Sequence, residues 1–500
     1  MQTTGDCAKR SRALTALTRP TDKVLHYFET TVLKPSETVK QPEAGLLWFL
    51  AGGGMLGRMG LRIRDKLGFG IGDLGGNMVF TVMGFWALTY LTDTVGLPAS
   101  LAGAAVMAGK AWDAVTDPVM GYLSDRTRTR WGRRRPYLLF GAVPLMGAFW
   151  LFFTGPLSAG GVRSPAALML WAVFALILFN TCATVVAVPY SSLTPDLTGD
   201  YHERTSLNGY RFGAAVFGTI AGAAAVQPLV SRFPDKATGF SVMGFALGGV
   251  AALSALAAFF GTKEKPAPAP REGFFAAYRA VFANRAFLTL LGTYALHLMG
   301  ITFLQSILHY YTKYLYGDEA LTTKAMVVLL AVAMACIPVS VLVSKRIGKR
   351  RTYQICFVIL GTSCAALFAF GHLLGPLFFL ALMCYAGIGV GFSYVAPFAM
   401  VPDAIEREKG RENRSAGESR EGAYYGIWTF AAKTGQALSV FLSGLLLSLG
   451  GYEADAVQSA ASLLVIRIII GPLPALLFAA AFLLNRPSPT ASAWPPVASE

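Results

Sequence analysis

Apolar runs long enough to cross a lipid bilayer recur along most of this sequence. One reads LMLWAVFALILFNTCATVVAVPY and another reads FLTLLGTYALHLMGITFLQSILHYY. Each comes close to the roughly 20 residues that an α-helix needs to span the hydrocarbon of a membrane. Charged residues make up only 14% of the chain, against about a quarter in water-soluble domains. We therefore expect an all-α membrane protein that crosses the bilayer many times.

Twelve such runs can be counted, and they fall into two groups of six. A polar, proline-rich stretch separates the groups, and polar segments without an apolar pattern flank them. The basic start of the chain loosely resembles a transit peptide. We favour instead a flexible, disordered tail, or a stretch upstream of a true start at Met55 or Met59. The predicted organisation is a cytoplasmic extension, the first six spans, a cytoplasmic linker, the second six spans and a disordered cytoplasmic tail, at residues 1–66, 67–261, 262–286, 287–485 and 486–500.

Short segments repeat between the two groups of spans. VPYSSLTPD ends the fourth span and APFAMVPD ends the tenth, while GYLSDRTRTRWGRRRPY and VSKRIGKRRTY follow the second and the eighth. Parallel repeats of six helices are typical of the major facilitator fold, in which the substrate binds between the halves near the middle of the membrane. The sequence therefore predicts that fold, with twelve transmembrane helices in two six-helix halves.

The net charge of +15 is concentrated in alternate loops. The segment RTRTRWGRRR after the second span holds six arginines in ten residues. Cytoplasmic loops of membrane proteins carry an excess of lysine and arginine. We therefore expect both termini in the cytoplasm and the chain in the plasma (cell inner) membrane. Since topology accounts for the basic residues, no nucleic-acid partner is expected.

Charges also occur inside the second span, in the segment KAWDAVTDP. Lys110, Asp113 and Asp117 are spaced by three and four residues, which places them on one face of a helix. A charge at the centre of a membrane helix costs about 2.5–3.5 kcal/mol, so such residues usually face the interior and mark transport pathways.

Two carboxylates with one ammonium leave a net negative charge, which favours binding of a cation. Carboxylate and hydroxyl oxygens are suited to a hard cation such as Na⁺, and two neighbouring carboxylates can instead share a proton. The sequence leaves Na⁺ and H⁺ open as the coupling ion. The alternative is a lysine–aspartate pair that only locks helices together, but it would leave the second aspartate unexplained.

Four motifs in order resemble the glycoside–pentoside–hexuronide:cation symporters, the melibiose-carrier family within the major facilitator superfamily. They are GFGIGDLGGN, KAWDAVTDPVMGYLSDRTRTRWGRRRP, VPYSSLTPDLTGDYHERTSLNGYR and REGAYYGIWTFAAKTGQAL. The likeness extends from about Leu67 to Leu484. It implies cation-coupled transport by alternating access.

The resemblance also implies roles for individual residues. The cation site would comprise Asp113, Thr116, Asp117 and Thr184. The cytoplasmic gating motif of the superfamily matches Asp125, Arg126, Arg133 and Arg134. Lys433 matches an intramembrane lysine between the sugar and cation sites, and we assign coupling roles to it and to Lys110.

The predicted substrate site is less close to the melibiose branch. That branch has carboxylates where this chain has Asn77 and Ala187, and a stacking tryptophan where it has Ser191. Arg211 matches an arginine that lines the pathway, and aromatic rings could stack on a pyranose. The candidate substrate-binding residues are Asp73, Asn77, Trp112, Arg211, Tyr425, Trp428 and Lys433.

The predicted function is therefore cation-coupled symport of a sugar or glycoside, carried out by a monomer among membrane lipids. We find no nucleophile triad, phosphate loop or metal cluster in the sequence, so we expect a transporter rather than an enzyme, with no cofactor beyond the transported cation. A symporter of lysophospholipid or another amphiphile is the main alternative. A sensor or assembly factor that transports nothing is a further one.

Overall fold

The computed structural model describes residues 61–155, 164–198, 201–264, 281–282, 284–394, 396–412 and 421–486. Within these ranges the backbone is helical apart from loops and one isolated β-bridge between Thr129 and Gly132. Most of the predicted extension, most of the predicted linker and almost all of the predicted tail lie outside the described residues. The predicted all-α class is confirmed.

The first half of the fold contains six long helices. They are α1 (Ile63–Thr89), α2 (Ala99–Arg126), α3 (Arg135–Thr154), α4 (Pro165–Ser191), α5 (Tyr201–Val230) and α6 (Lys236–Gly261). A π-helical turn at Tyr90–Thr94 continues α1, and a short helical turn at Thr194–Leu197 follows α4. We call the end where α2 passes into α3 the arginine-loop end, and the opposite end, where α1 passes into α2, the far end.

The second half of the fold follows the predicted linker. Its helices are α7 (Arg285–Tyr316), α8 (Ala320–Ile347), α9 (Lys349–Ala366), α10 (His372–Ser393), α11 (Ala396–Glu412), α12 (Glu421–Leu449), α13 (Ala460–Ile470) and α14 (Pro472–Leu484). A π-helical turn at Leu367–Gly371 joins α9 to α10. The last two helices follow each other directly and together form one candidate span of 25 residues.

Ten segments of the described chain are long and apolar enough to cross a membrane. One of them, residues 349–404, is 56 residues long and contains both α9 and α10. The helix α2 is 28 residues long but is not among the ten, because its charged residues lower its mean hydropathy. These two features account for the difference between ten segments and the twelve expected crossings.

Small residues bring the helices of the first half into close contact. A Cβ added at Gly218 of α5 would lie 2.0 Å from the carbonyl oxygen of Leu74 on α1, and one at Gly222 would lie 2.6 Å from that of Met78. Without a hydrophobic driving force between helices in lipid, such backbone contacts supply much of the packing energy. A Cβ at Gly213, on the same helix, would meet nothing within 4 Å.

The two halves meet along α2 and α12 near the far end. A Cβ at Gly444 of α12 would lie 2.2 Å from the carbonyl oxygen of Ala99. One turn further along α2, a Cβ at Gly103 would lie 3.0 Å from the carbonyl oxygens of Val440 and Phe441. This close packing holds α12 against the helix that carries the intramembrane aspartates.

We expect Gly218→Ala to destabilise the protein by about 1–3 kcal/mol, because the new methyl group forces α1 and α5 apart. Gly213→Ala is the matched control on the same helix, and we expect it to be neutral. Thermal unfolding of the purified variants in detergent measures the difference. Equal midpoints for the two variants would contradict the proposed contact.

Candidate functional site

The intramembrane aspartates lie in a four-residue cluster, which we call the charge cluster: Asp113, Asp117, Thr184 and Lys433. The Thr184 hydroxyl lies 2.6 Å from Asp113 Oδ1 and 3.0 Å from Asp117 Oδ1, and its single proton can be donated to one of them at a time. Lys433 Nζ lies 2.6 Å from Asp113 Oδ2 and also contacts Asp117 Oδ2. The aspartates and the threonine belong to the first half and the lysine to the second, so the cluster joins the halves.

Close packing of α2 on α4 brings the threonine to the aspartates. A Cβ added at Gly109 would lie 2.8 Å from Leu176 Cβ and 3.0 Å from Asn180 Nδ2. Asp113 lies one turn beyond Gly109, and Thr184 lies one turn beyond Asn180. The small residue therefore sets the distance between helices at which a hydroxyl can reach the carboxylates.

The lysine that pairs with the aspartates is not the one nearest in sequence. Lys110 shares the helix with Asp113, but no acidic residue of the described part of the chain lies within ion-pair distance of it. Lys433, from the other half, takes that place. Thr116 is not in the charge cluster either, because its hydroxyl donates to the backbone oxygen of Asp113 at 3.2 Å.

A cavity of about 490 Å³ lies between the halves beside the charge cluster. This size falls within the range of small-molecule sites, roughly 300–1,000 Å³. Its polar lining residues are Asn77, Thr81, Lys110, Asp113, Asn180, Thr219, Tyr294, His297, Thr302, Gln305, Ser363, Ser393, Tyr394, Lys433 and Gln436. Phenylalanine, leucine and other apolar side chains form the rest of the wall.

Two of the seven predicted substrate-binding residues, Asn77 and Lys433, line this cavity. Trp428 lies one layer behind the wall, stacked on Tyr294 with ring centroids 4.1 Å apart. The aromatic face that a substrate would meet there is therefore that of Tyr294, which the sequence did not single out.

Two other predicted aromatic residues lie away from the cavity. The Trp112 indole donates to the Thr181 hydroxyl at 2.9 Å, and 42% of the tryptophan is exposed. Tyr425 is 40% exposed. In a membrane protein such exposure is ordinary for rings that face lipid.

Asp73 and Arg211 form a separate ion pair near the arginine-loop end. Arg211 Nε lies 2.8 Å from Asp73 Oδ2, and its Nη1 donates to the Thr194 hydroxyl at 3.3 Å. The guanidinium also lies over the Tyr190 ring, 4.9 Å from its centroid. This arrangement ties α1, α4 and α5 together within the first half.

The predicted gating residues lie at the arginine-loop end, where the structure adds one further acidic partner. Arg134 Nη2 lies 2.7 Å from Asp125 Oδ1, and Arg126 lies over the Tyr122 ring at 3.8 Å. Arg133 Nε lies 3.7 Å from Glu264 Oε1. Glu264 follows α6 in the stretch that the sequence analysis assigned to the linker.

Glu264 also binds the backbone of the arginine loop. Its Oε2 accepts the backbone N–H groups of Arg134 at 2.9 Å and Arg135 at 3.3 Å. Gly132 permits this contact, because its φ is +106° and a Cβ there would lie 2.2 Å from Glu264 Oε2. An acidic residue directly after the sixth span was the signal available in the sequence.

A second polar cluster closes the far end, and we call it the far-end cluster: Thr92, Asp93, Tyr310, Lys313 and Tyr452. Lys313 Nζ lies 2.5 Å from Asp93 Oδ2, and the Tyr452 hydroxyl donates to Asp93 Oδ1 at 2.5 Å. The hydroxyls of Thr92 and Tyr310 are 2.7 Å apart. Each of these contacts runs from the first half to the second.

Exposed charges surround the far-end cluster. Lys236 of the first half lies 3.5 Å from Glu319 and 3.4 Å from Asp455, and Asp455 also lies 2.7 Å from Lys313. Partial burial opposes ionisation of Asp455, but the two lysines outweigh it and hold its pKa below the usual value. Nothing in the sequence indicated that Lys313 pairs with Asp93, since no spacing rule connects the two.

We expect Asp93→Asn to loosen the far end, because Lys313 loses the carboxylate that pairs with it across the halves, at a cost of about 1–3 kcal/mol. The lysine then keeps only carboxylates of its own half, of which Asp455 is the nearest at 2.7 Å. Spin labels at cysteines replacing Arg232 and Val457, exposed residues of the two halves, report the separation in a chain without native cysteines. The distance distribution should extend to longer values.

Asp318→Asn is the matched control, since Asp318 lies at the same end but 4.0 Å from Lys324 within the second half. We expect it to leave the distances unchanged. An equal shift in both variants, or none in Asp93→Asn, would contradict a closing role for the far-end cluster.

Two helical halves with a charged cavity between them define a membrane transporter rather than an enzyme. This chain belongs to the MFS/sugar transport protein family, whose model matches residues 68–486. The predicted fold and the predicted class of protein are thereby confirmed.

Known proteins similar over most of the chain include two transporters. A putative sulfoquinovose importer from Escherichia coli (strain K12) is 28% identical, with 82% of this chain and 87% of that protein covered. A sodium-dependent lysophosphatidylcholine symporter from Danio rerio is 26% identical, with 85% of each chain covered. A crystal structure of a mutant of the nucleoside transporter NupG shares the fold, with a TM-score of 0.62, 14% identity and coverage of 84% of this chain and 100% of that one.

Proposed function

We propose that this protein is a secondary transporter that couples symport of a sugar or glycoside to a monovalent cation by alternating access. The observation that carries the proposal is the charge cluster, in which two carboxylates and a hydroxyl of one half meet an ammonium of the other beside the cavity. Its oxygens are the ligand types that a hard cation prefers.

The coupling follows from the position of the Lys433 ammonium. It contacts both carboxylates and so occupies the place that a cation bound by them would take. An entering Na⁺ or H⁺ weakens the hold of the aspartates on the ammonium. Lys433 also lines the cavity, so its release changes the site that meets the substrate and the contact between halves together.

Alternating access requires that the two ends open in turn. We assign the arginine-loop end and both termini to the cytoplasm, and the chain to the cell inner membrane, on the excess of basic residues in alternate loops. The far-end cluster then faces outward and is closed in this conformation. Substrate entry from outside requires its contacts between halves to break.

The cavity lining supports a polar substrate of modest size. Amide groups of Asn77, Gln305 and Gln436 and the phenol of Tyr294 supply hydrogen-bond donors and acceptors from both halves. The similar importer from E. coli, named for a sugar, supports the same class. The lysophosphatidylcholine symporter favours an amphiphile as the second candidate, and the apolar part of the wall is compatible with an acyl chain.

We expect replacement of Asp113 and Asp117 together by asparagine to reduce gradient-driven uptake to about a tenth or less. The exchange removes both negative charges that would bind the cation. Loss of an interaction as strong as one hydrogen bond to a charged group, about 1.5–3 kcal/mol, weakens binding about tenfold or more, since 1.4 kcal/mol is tenfold in affinity. Uptake into oriented vesicles is measured with labelled glycosides, pentosides, uronides and lysophosphatidylcholine, with and without Na⁺ or H⁺ gradients.

The control for this experiment is Asp318→Asn, a partly exposed aspartate that lies beside Lys324 at the far end and is not part of the charge cluster. It should transport like the native chain. Undiminished accumulation by the double variant would refute the coupling site. Gradient-driven uptake of lysophosphatidylcholine alone would select the second candidate.

We expect Lys433→Gln to bind Na⁺ about tenfold more tightly while losing coupled uptake. Without the ammonium, the cation no longer competes with Lys433 for the carboxylates, whose contact with the lysine is worth about 1.5–3 kcal/mol. Coupled uptake is lost because the link between the carboxylates and the cavity is lost as well. Calorimetric titration of Na⁺ into the purified variant measures the affinity, with Lys433→Arg as the charge-conserving control. Weaker Na⁺ binding by Lys433→Gln would show that the lysine supports the cation instead of competing with it.

A further inference from the structure

Arg467 is a charged residue inside a membrane span that the proposed transport does not use. It lies on α13, seven residues after Ala460, where the helix begins at the far end. At 1.5 Å per residue, its Cα lies about 10 Å along the helix axis, within a candidate span of 25 residues. A cation at such a depth is costly and usually marks a functional position.

The Arg467 guanidinium reaches toward the membrane surface at the far end. Side chains of a helix lean toward its N-terminus, and this one extends to the π-helical turn Leu367–Gly371. Its Nη2 donates to the carbonyl oxygen of Phe368 at 3.1 Å, and the guanidinium lies over the Phe368 ring, 5.1 Å from its centroid. The charged group therefore lies beside the turn between α9 and α10, toward the level of the lipid headgroups.

Most of the hydrogen-bonding capacity of Arg467 is unused. A guanidinium has five N–H donors, and within the described part of the chain one of them is bonded, to Phe368. The Nε group is buried and has no partner there. Two other carbonyl oxygens of the turn already accept the hydroxyls of Tyr311 and Tyr316. Among the described residues, no carboxylate lies within 4 Å of the guanidinium to balance its charge.

The surface around this guanidinium is apolar and exposed. Helix α13 packs mainly on α7 and other helices of the second half, so its outer face meets lipid. Leu464, one turn before Arg467, is exposed, and so are apolar side chains of the turn and of the start of α10: Phe370, Leu373, Leu374 and Leu377. The exposed His372 lies among them and adds an imidazole N–H.

We propose that Arg467 and His372 bind the phosphate of an anionic phospholipid in the leaflet at the far end. The guanidinium keeps several N–H groups for phosphate oxygens, with which arginine forms short, charge-assisted hydrogen bonds. The apolar side chains around it accommodate the acyl chains, which a free anion lacks. With no acidic side chain of the described chain beside the arginine, a headgroup with a net negative charge is preferred to a zwitterionic one.

Lipid binding to the purified full-length chain tests the headgroup preference. Native mass spectrometry in detergent is used to titrate the chain with phosphatidylglycerol and, separately, with phosphatidylcholine of the same acyl chains. The native chain should bind phosphatidylglycerol at least about tenfold more tightly, which is the size of one charge-assisted hydrogen bond. Equal dissociation constants for the two lipids would overturn the inference.

The Arg467 variants test the residue itself. Arg467→Gln should weaken the binding of phosphatidylglycerol about tenfold and leave that of phosphatidylcholine unchanged, while Arg467→Lys should keep most of the preference. Arg232→Gln, which replaces an exposed arginine of the first half at the same end, is the matched control and should bind like the native chain. An unchanged preference in Arg467→Gln, or an equal loss in Arg232→Gln, would overturn the inference.

Thermal unfolding separates lipid binding from a purely structural role of the arginine. In nanodiscs, phosphatidylglycerol should raise the unfolding midpoint of the native chain above its value in phosphatidylcholine, and Arg467→Gln should reduce that rise. An arginine that only caps the turn would lower the midpoint equally in both lipids, and this result would overturn the lipid site.

Two further measurements complete the test. Excess inorganic phosphate should not displace phosphatidylglycerol, because the acyl chains contribute to its binding; displacement would identify a site for soluble anions and overturn the lipid assignment. If Arg467→Gln does not fold, His372→Leu decides, since His372 is exposed and makes no contact that holds the turn. This variant should bind phosphatidylglycerol more weakly, and an unchanged preference would then overturn the inference.

Discussion

The contact of two aspartate carboxylates, one buried and one half-buried, with an ammonium from the opposite half is the interaction on which the rest of this structure depends. Asp113 and Asp117 lie within a membrane helix, where unpaired charges are costly. Lys433 neutralises one charge, and Thr184 supplies a hydrogen bond. Because the lysine belongs to α12 and the aspartates to α2, the same contact also joins the halves. A ligand of the aspartates therefore acts on the contact between halves as well.

The two ends of the molecule differ in how their charges are connected. At the arginine-loop end, Arg134 pairs with Asp125 within the first half, and Lys349 pairs with Asp403 within the second. At the far end, Asp93 and Lys313 pair across the halves. The far end thus adds ion pairs and hydroxyl contacts to the close packing of α2 on α12, and such polar contacts can be exchanged for contacts with water when the halves separate. Such a bistable closure is what a ligand can bias.

Much of the fold and part of the site could be predicted from the sequence. Run lengths and loop charges indicated the helices, and the spacing of Asp113 and Asp117 placed both on one face of α2. The sequence could not say which lysine would meet them, because Lys110 is three residues away and Lys433 is 316 residues from Asp117. Only the family resemblance connected Lys433 and Thr184 with this site. Trp428 illustrates the limit for aromatic residues, since a rotation of the helix by a fraction of a turn decides whether a ring lines a cavity or packs behind Tyr294.

The sequence by itself determined the class of protein, since apolar runs near 20 residues leave no stable alternative to membrane helices. It also determined that α2 carries charge at a depth where charge needs a partner. The tertiary structure decided the partners: Lys433 for the aspartates, Glu264 for the arginine loop and Lys313 for Asp93. These contacts join residues far apart in the chain, and helix periodicity specifies only which face a residue occupies. Which faces meet depends on where glycines let helices approach, and this is a property of the packed bundle.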